Sequence, residues 1–459
     1  MTGSVSAVRG RTYVYMAACA AAISGLLFGF DTAVINGALL FIREQFGLTE
    51  VQTELVAGSL LCGCILGSAC AGMLGDWWGR RKALLAVAVL FAAAALGCAI
   101  PTGVWQLIVA RFWCGVAIGV ASVLAPMYIS EVSPAHIRGR LVSLNQLAIV
   151  SGILLAYYVN WQLAAQGEGS WRWMFGVAAL PAVAFFAAMW WNPESPRWLA
   201  RSRMTKEAYT VLARTMQESE AQKELRQIEK SLEEESSTSM RDLLRPGIRR
   251  ALGIAIFLAV FQQITGINTV LYYGSILFKE MVGETATNAV GANVAIGGVN
   301  FLCTIGALFL VDRVGRKPLM MAGSAGMGLA LLALGFAFRQ AHPAGGWILS
   351  LILLYVACFA LTLGPCVWVY IAEIFPNRIR GRAMSVATLA LWTACLAVTL
   401  TFLSLMRLLS PAGTFWLYAG LCAVMFVVVA LILPETKQKS LEEIQAFWID
   451  RRIAADRLR

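Results

Sequence analysis

One segment of this chain occurs twice, and this repeat constrains the fold more than any other feature of the sequence. The segment that begins at Tyr128 returns, 242 positions later and without a gap, at Tyr370. The two copies read Tyr-Ile-Ser-Glu-Val-Ser-Pro-Ala-His-Ile-Arg-Gly-Arg and Tyr-Ile-Ala-Glu-Ile-Phe-Pro-Asn-Arg-Ile-Arg-Gly-Arg. Each copy lies where an apolar run ends and a basic loop begins. The repeat therefore predicts two similar halves, each with a membrane helix at this point, an arrangement typical of transporters.

The composition indicates a polytopic membrane protein. Hydrophobic residues make up 59% of the 459 residues, charged residues make up 14%, and the mean hydropathy is +0.70. A soluble fold could not bury so much apolar surface. We therefore predict an all-α membrane protein with twelve transmembrane helices in two pseudo-symmetric six-helix bundles. The predicted spans are roughly 13–38, 53–73, 83–100, 105–130, 142–164, 172–191, 250–278, 289–311, 318–338, 347–373, 384–407 and 413–433, each long enough to cross a bilayer.

The distribution of basic residues predicts the orientation of the chain. If both termini are cytosolic, all but six of the 37 Lys and Arg residues fall in cytosolic segments. This asymmetry favours that orientation. The net charge of +11 would also suit a nucleic-acid partner. We expect none, because the cations are spread over many loops. The six Lys and Arg residues that fall outside the predicted cytosolic segments are Arg43, Arg111, Arg172, Lys279, Arg339 and Arg407.

Four segments follow from the spans and the polar intervals. We predict an N-terminal six-helix bundle (1–191), a cytosolic amphipathic helical linker (192–249), a C-terminal bundle (250–433) and a cytosolic C-terminal helix (434–459). The last helix is indicated by Ser440 and Glu443, which form a capping-box pattern. A regulatory role for the linker stays open.

The sequence offers no sign of an enzyme, a cofactor or a metal site. All eleven cysteines fall in predicted spans, where we interpret them as small packing residues. His136 and His342 lie in predicted loops, where we expect neither to have a nucleophile or metal partner. We expect no cofactor besides a coupling proton. Short outer loops and the absence of an Asn-x-Ser/Thr sequon favour a bacterial inner membrane.

Two further loops match between the halves and suggest a cytosolic gate. Gly75-Asp-Trp-Trp-Gly-Arg-Arg corresponds to Val311-Asp-Arg-Val-Gly-Arg-Lys. These charges could pair with the acids and arginines of the repeated segment, although the cations alone would also serve to fix topology. Including the glutamates of the motifs that close each half, the predicted gate comprises Asp76, Arg80, Arg81, Glu131, Arg138, Glu194, Asp312, Arg316, Glu373, Arg380 and Glu435.

Together these motifs resemble the sugar porter branch of the major facilitator superfamily. Pro193-Glu-Ser-Pro-Arg-Trp-Leu closes the first half and Pro434-Glu-Thr-Lys closes the second. The resemblance covers essentially the whole chain, and its motifs are most similar to those of bacterial proton-coupled sugar symporters of the xylose and glucose type. It implies two bundles that rock about a central sugar site, and a monomer.

The seventh apolar run offers a candidate sugar site. Gln262, Gln263 and Asn268 flank Gly266, and side-chain amides inside a membrane usually face a bundle interior. Each amide alone could instead serve in packing. The resemblance implies these three as sugar ligands and adds Gln146, Asn300, Trp368, Tyr272, Phe28 and Trp392.

One departure from the family's pattern lies around Trp392. Leu391 and Cys395 stand where relatives often carry Gln or Asn. Because this removes possible hydroxyl partners, the preferred sugar or polyol stays open.

Asp31 and Arg111 are candidates for proton coupling. They are the acid and base that lie away from the ends of the predicted helices. At 1.5 Å per residue both reach about 27 to 30 Å from the cytosolic end of their helices, so they can meet. A lone charge at that depth is costly, which favours a pair whose acid exchanges a proton. A static ion pair is the alternative, and an uncoupled uniporter or a sugar sensor would be the alternative functions.

Overall fold

The computed structural model describes residues 2–134, 137–167, 169–236, 240–245, 248–340, 344–375 and 377–437. Within these ranges the chain forms helices joined by turns, with no strand. One short 3₁₀ helix lies at Met240–Leu244. The α-helices are α1 (Thr2–Phe46), α2 (Glu50–Trp78), α3 (Arg80–Ala99), α4 (Val104–Val132), α5 (Arg138–Ala164), α6 (Ser170–Gly176), α7 (Ala179–Trp190), α8 (Pro196–Arg201), α9 (Thr205–Ala213), α10 (Glu218–Ser236), α11 (Ile248–Ile264), α12 (Ile267–Val282), α13 (Ala286–Val314), α14 (Arg316–Ala337), α15 (Gly345–Leu361), α16 (Leu363–Glu373) and α17 (Asn377–Ile432).

The long apolar helices account for twelve membrane spans. In the described part of the chain, eleven apolar helical segments are long enough to cross a bilayer, and the last of them, Ile379–Ile432, has 54 residues. Its helix is interrupted at Ser410 (φ 64°, ψ 163°), which is followed by Pro411. Because proline cannot continue the hydrogen-bonding of a helix, this segment makes two spans. The prediction of an all-α fold with twelve transmembrane helices is confirmed.

The described helices pack into two compact units. Of the described residues, those in 2–34, 59–156 and 169–236 form unit 1, and those in 35–58, 157–167 and 240–437 form unit 2. Unit 2 therefore contains the ends of α1 and α5 and the beginning of α2, together with α11 to α17.

Close helix packing in unit 1 depends on small residues. A Cβ added at Gly63 of α2 would collide with the carbonyl oxygen of Phe112, and one added at Gly115 of α4 would collide with that of Leu60. The two backbones approach so closely that no side chain fits between them. The small-residue pattern of the second and fourth spans thus reports direct backbone contact.

The interval between the two halves has a small core of its own. Leu199 of α8, Val211 and Leu212 of α9, and Leu225 and Ile228 of α10 are buried against one another. Their spacing is that of amphipathic helices, as the sequence predicts for this segment. The predicted C-terminal helix, with its capping box, lies largely outside the described residues, since the description ends at position 437.

Candidate functional site

The first repeated segment is built around a buried ion pair in unit 1. Arg80, at the start of α3, meets Glu131, near the end of α4, through two contacts: Nε to Oε2 at 3.1 Å and Nη2 to Oε1 at 3.2 Å. Arg80 Nη1 also lies 3.1 Å from Asp76 Oδ1, and Ser195 Oγ donates to Glu131. The side chains of Arg80 and Glu131 are 6% and 8% exposed. This bidentate geometry gives a directional bond in a largely dry site.

The second repeated segment reproduces this arrangement in unit 2. Arg316 Nη2 lies 2.8 Å from Glu373 Oε1 and 3.2 Å from Asp312 Oδ1. Thr436 Oγ1 donates to Glu373 Oε2 at 2.6 Å, in the position that Ser195 holds in unit 1. The sequence repeat is therefore a repeat of contacts as well.

The glutamates that close each half cap a helix of the same cluster. Glu194 accepts a hydrogen bond from the Arg81 backbone N–H at 3.0 Å, in the first turn of α3. Glu435 accepts from the backbone N–H groups of Arg316 and Lys317 at 3.1 and 3.0 Å, in the first turn of α14. A carboxylate at a helix N-terminus satisfies amide groups that have no partner inside the helix.

The arginines of the predicted gate differ in their contacts. The partner of Glu131 is Arg80, whereas the Arg81 side chain donates to backbone carbonyls at the end of α7. Arg138 lies 3.5 Å from Glu224 of α10, and Arg380 donates to Phe375 O at 3.3 Å. Both arginines also contact a carbonyl just after the preceding helix, where a cation complements the helix dipole.

We expect the double variant Glu131→Gln plus Glu373→Gln to shift the protein towards states that are open on the predicted cytosolic side. Each substitution removes the charge that holds a buried arginine, while residues of the candidate sugar site stay in place. Alkylation of cysteines introduced into the cytosolic cavity should rise severalfold, with sugar affinity unchanged. Glu207→Gln plus Glu218→Gln, which removes two exposed linker acids, is the matched control. Unchanged alkylation in the first double variant would leave the clusters with a role in topology alone.

The seventh span is interrupted where the amide cluster is predicted. Gly266 has φ +94°, a conformation that other residues adopt only with strain, and it separates α11 from α12. Gln263 accepts a hydrogen bond from Asn268 Nδ2, and the same nitrogen lies 3.0 Å from Cys395 Sγ of α17. Gln262 Nε2 donates to the carbonyl of Leu363 at 2.8 Å. The break thus brings the three predicted amides together.

The other predicted sugar contacts are divided between the units. In unit 2, Tyr272 is buried and hydrogen-bonded to Cys395, Trp392 is buried on α17, and Trp368 is half-buried on α16. Asn300 on α13 is 8% exposed, and no hydrogen bond joins it to the residues described. In unit 1, Phe28 and Gln146 are half-buried on α1 and α5. Their roles as sugar ligands stay predictions.

Asp31 and Arg111 are both buried in unit 1, with 1% and 0% of their surface exposed. The two side chains are close enough for the charge of Arg111 to act on Asp31. The guanidinium carbon of Arg111 also lies 5.4 Å from the centre of the Phe175 ring, within the range of a cation–π contact. Both residues are therefore buried in the same unit, and a direct ion pair between them stays a prediction.

Sequence analysis missed a buried polar network in unit 2. Asn36 of α1 donates to Leu271 O at 2.8 Å and to Asn293 Oδ1 at 3.1 Å, and it accepts from the Ser275 N–H at 2.9 Å. These contacts tie the end of α1 to α12 and α13. Single polar residues in apolar helices were the available signal, but their partners lie more than 230 positions away.

Glu54 is a second buried group that sequence analysis did not single out. It lies one turn into α2 and is 2% exposed. Its two carboxylate oxygens accept from the N–H and the hydroxyl of Ser404 on α17, both at 2.8 Å. Because Glu54 lies near a helix end, its position in the sequence suggests an exposed acid.

Comparisons with known proteins agree with this geometry. A family model described as "Sugar (and other) transporter" matches residues 17–448. The arabinose-proton symporter of Bacillus subtilis (strain 168) is 41% identical over 445 residues, which cover 95% of each chain. The D-xylose-proton symporter of Escherichia coli (strain K12) is 36% identical and covers 95% of this chain and 96% of its own. The solved structure of the proton:xylose symporter XylE bound to 6-bromo-6-deoxy-D-glucose superposes with a TM-score of 0.81 at 35% identity, covering 96% of this chain and 100% of that chain.

Proposed function

Because this chain belongs to the sugar transporter family, we propose that it is a proton-coupled monosaccharide symporter that works by alternating access. Its substrate is a hexose or a pentose. The relatives named above are symporters of arabinose and of xylose, which are pentoses, so these two sugars are the first to test.

The observation that carries the proposal is the set of side-chain amides around the break between α11 and α12. A sugar presents several hydroxyl groups, each of which both donates and accepts hydrogen bonds, and amides match both roles. Gln263 and Asn268 are hydrogen-bonded to each other at the break. The side-chain amide of Asn300 is buried and makes no hydrogen bond to the residues described. Trp368 on α16 offers an aromatic face for the apolar side of the ring. The contribution of each of these residues to sugar binding can be tested by substituting that residue alone.

Proton coupling rests on Asp31 and Arg111. An acid and a base that are buried together in a membrane protein stabilise each other's charge, and separation of the pair favours the uncharged acid. We infer that Asp31 binds the transported proton and that Arg111 controls its release. The proton is then the coupling ion, and transport requires no other cofactor.

The proposal also includes the orientation of the chain in the membrane. We infer that both termini face the cytosol, because the loops at that side carry most of the basic residues. The membrane is then a bacterial plasma membrane, and the transporter acts as a monomer without a nucleic-acid partner.

The test is uptake of labelled arabinose, xylose and glucose into proteoliposomes, with and without an imposed pH gradient that is acidic outside. We expect at least one sugar to accumulate above its external concentration only with the gradient, and a protonophore to abolish the accumulation. Vesicles without protein are the control. Uptake that equilibrates at the same rate with and without the gradient would indicate a uniporter. Saturable sugar binding without any uptake would indicate a sensor.

A further inference from the structure

Unit 2 contains two interrupted spans that lie against each other. One is the span of α11 and α12, broken at Gly266. The other is the span of α15 and α16, broken at Thr362, whose backbone (φ −132°, ψ −85°) departs from helical geometry. Each break is followed by a helix that carries a proposed sugar contact: Asn268 lies on α12 and Trp368 on α16. How the two breaks are connected therefore bears on how the sugar contacts move.

The break at Thr362 is bonded by a side chain from the other span. Gln262, in the last turn of α11, donates from Nε2 to the carbonyl oxygens of Leu363 and Gly364 at 2.8 and 3.1 Å. Gln262 is 3% exposed, so water contributes little to these contacts. The side-chain amide nitrogen of Gln262 is thus hydrogen-bonded to the carbonyl groups of the first two residues of α16.

At the break at Gly266, the side-chain donor comes from the other interrupted span. The Thr269 N–H bonds the carbonyl of Gly266 at 3.0 Å, which leaves the carbonyl of Thr265 without its usual helical donor. The hydroxyl of Tyr355, on α15, donates to that Thr265 carbonyl at 2.9 Å. Tyr355 is 1% exposed. Each break therefore has carbonyl groups that are bonded by a side chain from the other interrupted span.

We propose that Gln262 and Tyr355 couple the two breaks, so that a change of backbone conformation at one is transmitted to the other. In this role Gln262 is a positioning residue for α16 in addition to its predicted place among the sugar ligands, and Tyr355 is a positioning residue for α12. The inference rests on the proposed function in that the coupled movement would carry Asn268 and Trp368 together. Hydrogen bonds that run in opposite directions between the same two interrupted spans resist independent movement of either break.

Amide hydrogen exchange of the purified full-length protein tests the coupling. The variant is Tyr355→Phe, which removes one hydroxyl and keeps the ring. We expect exchange to accelerate about tenfold in residues 265–269, where the bond is lost, and also in residues 363–368, where no direct contact has changed. The matched control is Tyr273→Phe, whose hydroxyl donates to the carbonyl of Thr399 on α17 at 2.7 Å. It should leave exchange in both segments unchanged.

The reciprocal variant is Gln262→Ala, which should accelerate exchange at 265–269 as well as at 363–368. Acceleration confined to 265–269 in Tyr355→Phe, and to 363–368 in Gln262→Ala, would overturn the coupling. Transport offers an independent readout. Tyr355→Phe should lower the rate of sugar exchange about tenfold with the Kd for sugar changed less than threefold, and an unchanged exchange rate would contradict the inference. Failure of the proposed function would appear differently, as absence of sugar accumulation driven by the pH gradient in the unaltered protein.

Discussion

Replacing Asp31 with Asn should abolish accumulation of sugar against a concentration gradient while sparing sugar binding and exchange. Asn has nearly the shape of a protonated Asp, so the variant resembles the carrier with its proton permanently bound. Asp31 and Arg111 are both buried in unit 1, whereas the amides of α11 and α12 belong to unit 2. Without the carboxyl group of Asp31 the proton has no binding site on the carrier. The pH gradient then cannot shift the equilibrium between the states that bind and release sugar.

The measurement is concentrative uptake by proteoliposomes under an imposed pH gradient, beside exchange of labelled for unlabelled sugar without a gradient. Glu50→Gln is the control, because it neutralises an acid that pairs with Arg407 at an exposed position. The control should accumulate sugar as the unaltered protein does. Accumulation driven by the pH gradient in Asp31→Asn would exclude Asp31 as the coupling residue.

Replacing Trp368 with Ala should weaken sugar binding by roughly ten- to a hundredfold, which corresponds to about 1–3 kcal/mol of lost apolar contact. The indole of Trp368 is half-buried on α16, five residues after that helix begins, so part of its face is available to a ligand. The change should appear in the Kd for sugar, measured by calorimetry on the detergent-solubilised protein.

The control for this change is Trp347→Ala, on α15 of the same span, where the indole is 56% exposed. It removes the same side chain from the same span and should leave the Kd unaltered. An unchanged Kd in Trp368→Ala would move the candidate sugar site away from α16.

The fold could be predicted from the sequence because its main determinants are local. A run of about twenty apolar residues specifies a membrane span without reference to any other part of the chain. The repeated loop motifs predict the charge clusters nearly as well, since Asp76 and Arg80 lie one helical turn apart. The choice between Arg80 and Arg81 as the partner of Glu131 was beyond such reasoning, because it depends on the direction in which each side chain leaves the first turn of α3.

The candidate site was predicted in part. The amides around Gly266 are conspicuous because polar side chains are costly in an apolar helix. The hydrogen bonds among these amides are not evident from the sequence. The bond from Gln262 to the carbonyl of Leu363 depends on a helix break about a hundred positions away. Asn36 and Glu54 were overlooked for the same reason, since each is satisfied by groups that lie far away in the sequence.

The long separation between Glu54 and Ser404 has a consequence for the synthesis of the protein. These residues are 350 positions apart, so a ribosome that adds 5–20 residues per second needs roughly 20 to 70 s to supply the partner. During that interval α2 has entered the membrane while the carboxylate of Glu54 has no hydrogen-bond donor from α17. The nascent first half must therefore carry Glu54 either hydrated or protonated until Ser404 is made. A chain that ends before α17 lacks the N–H and hydroxyl donors of Ser404, so its first half would have to accommodate this acid without them.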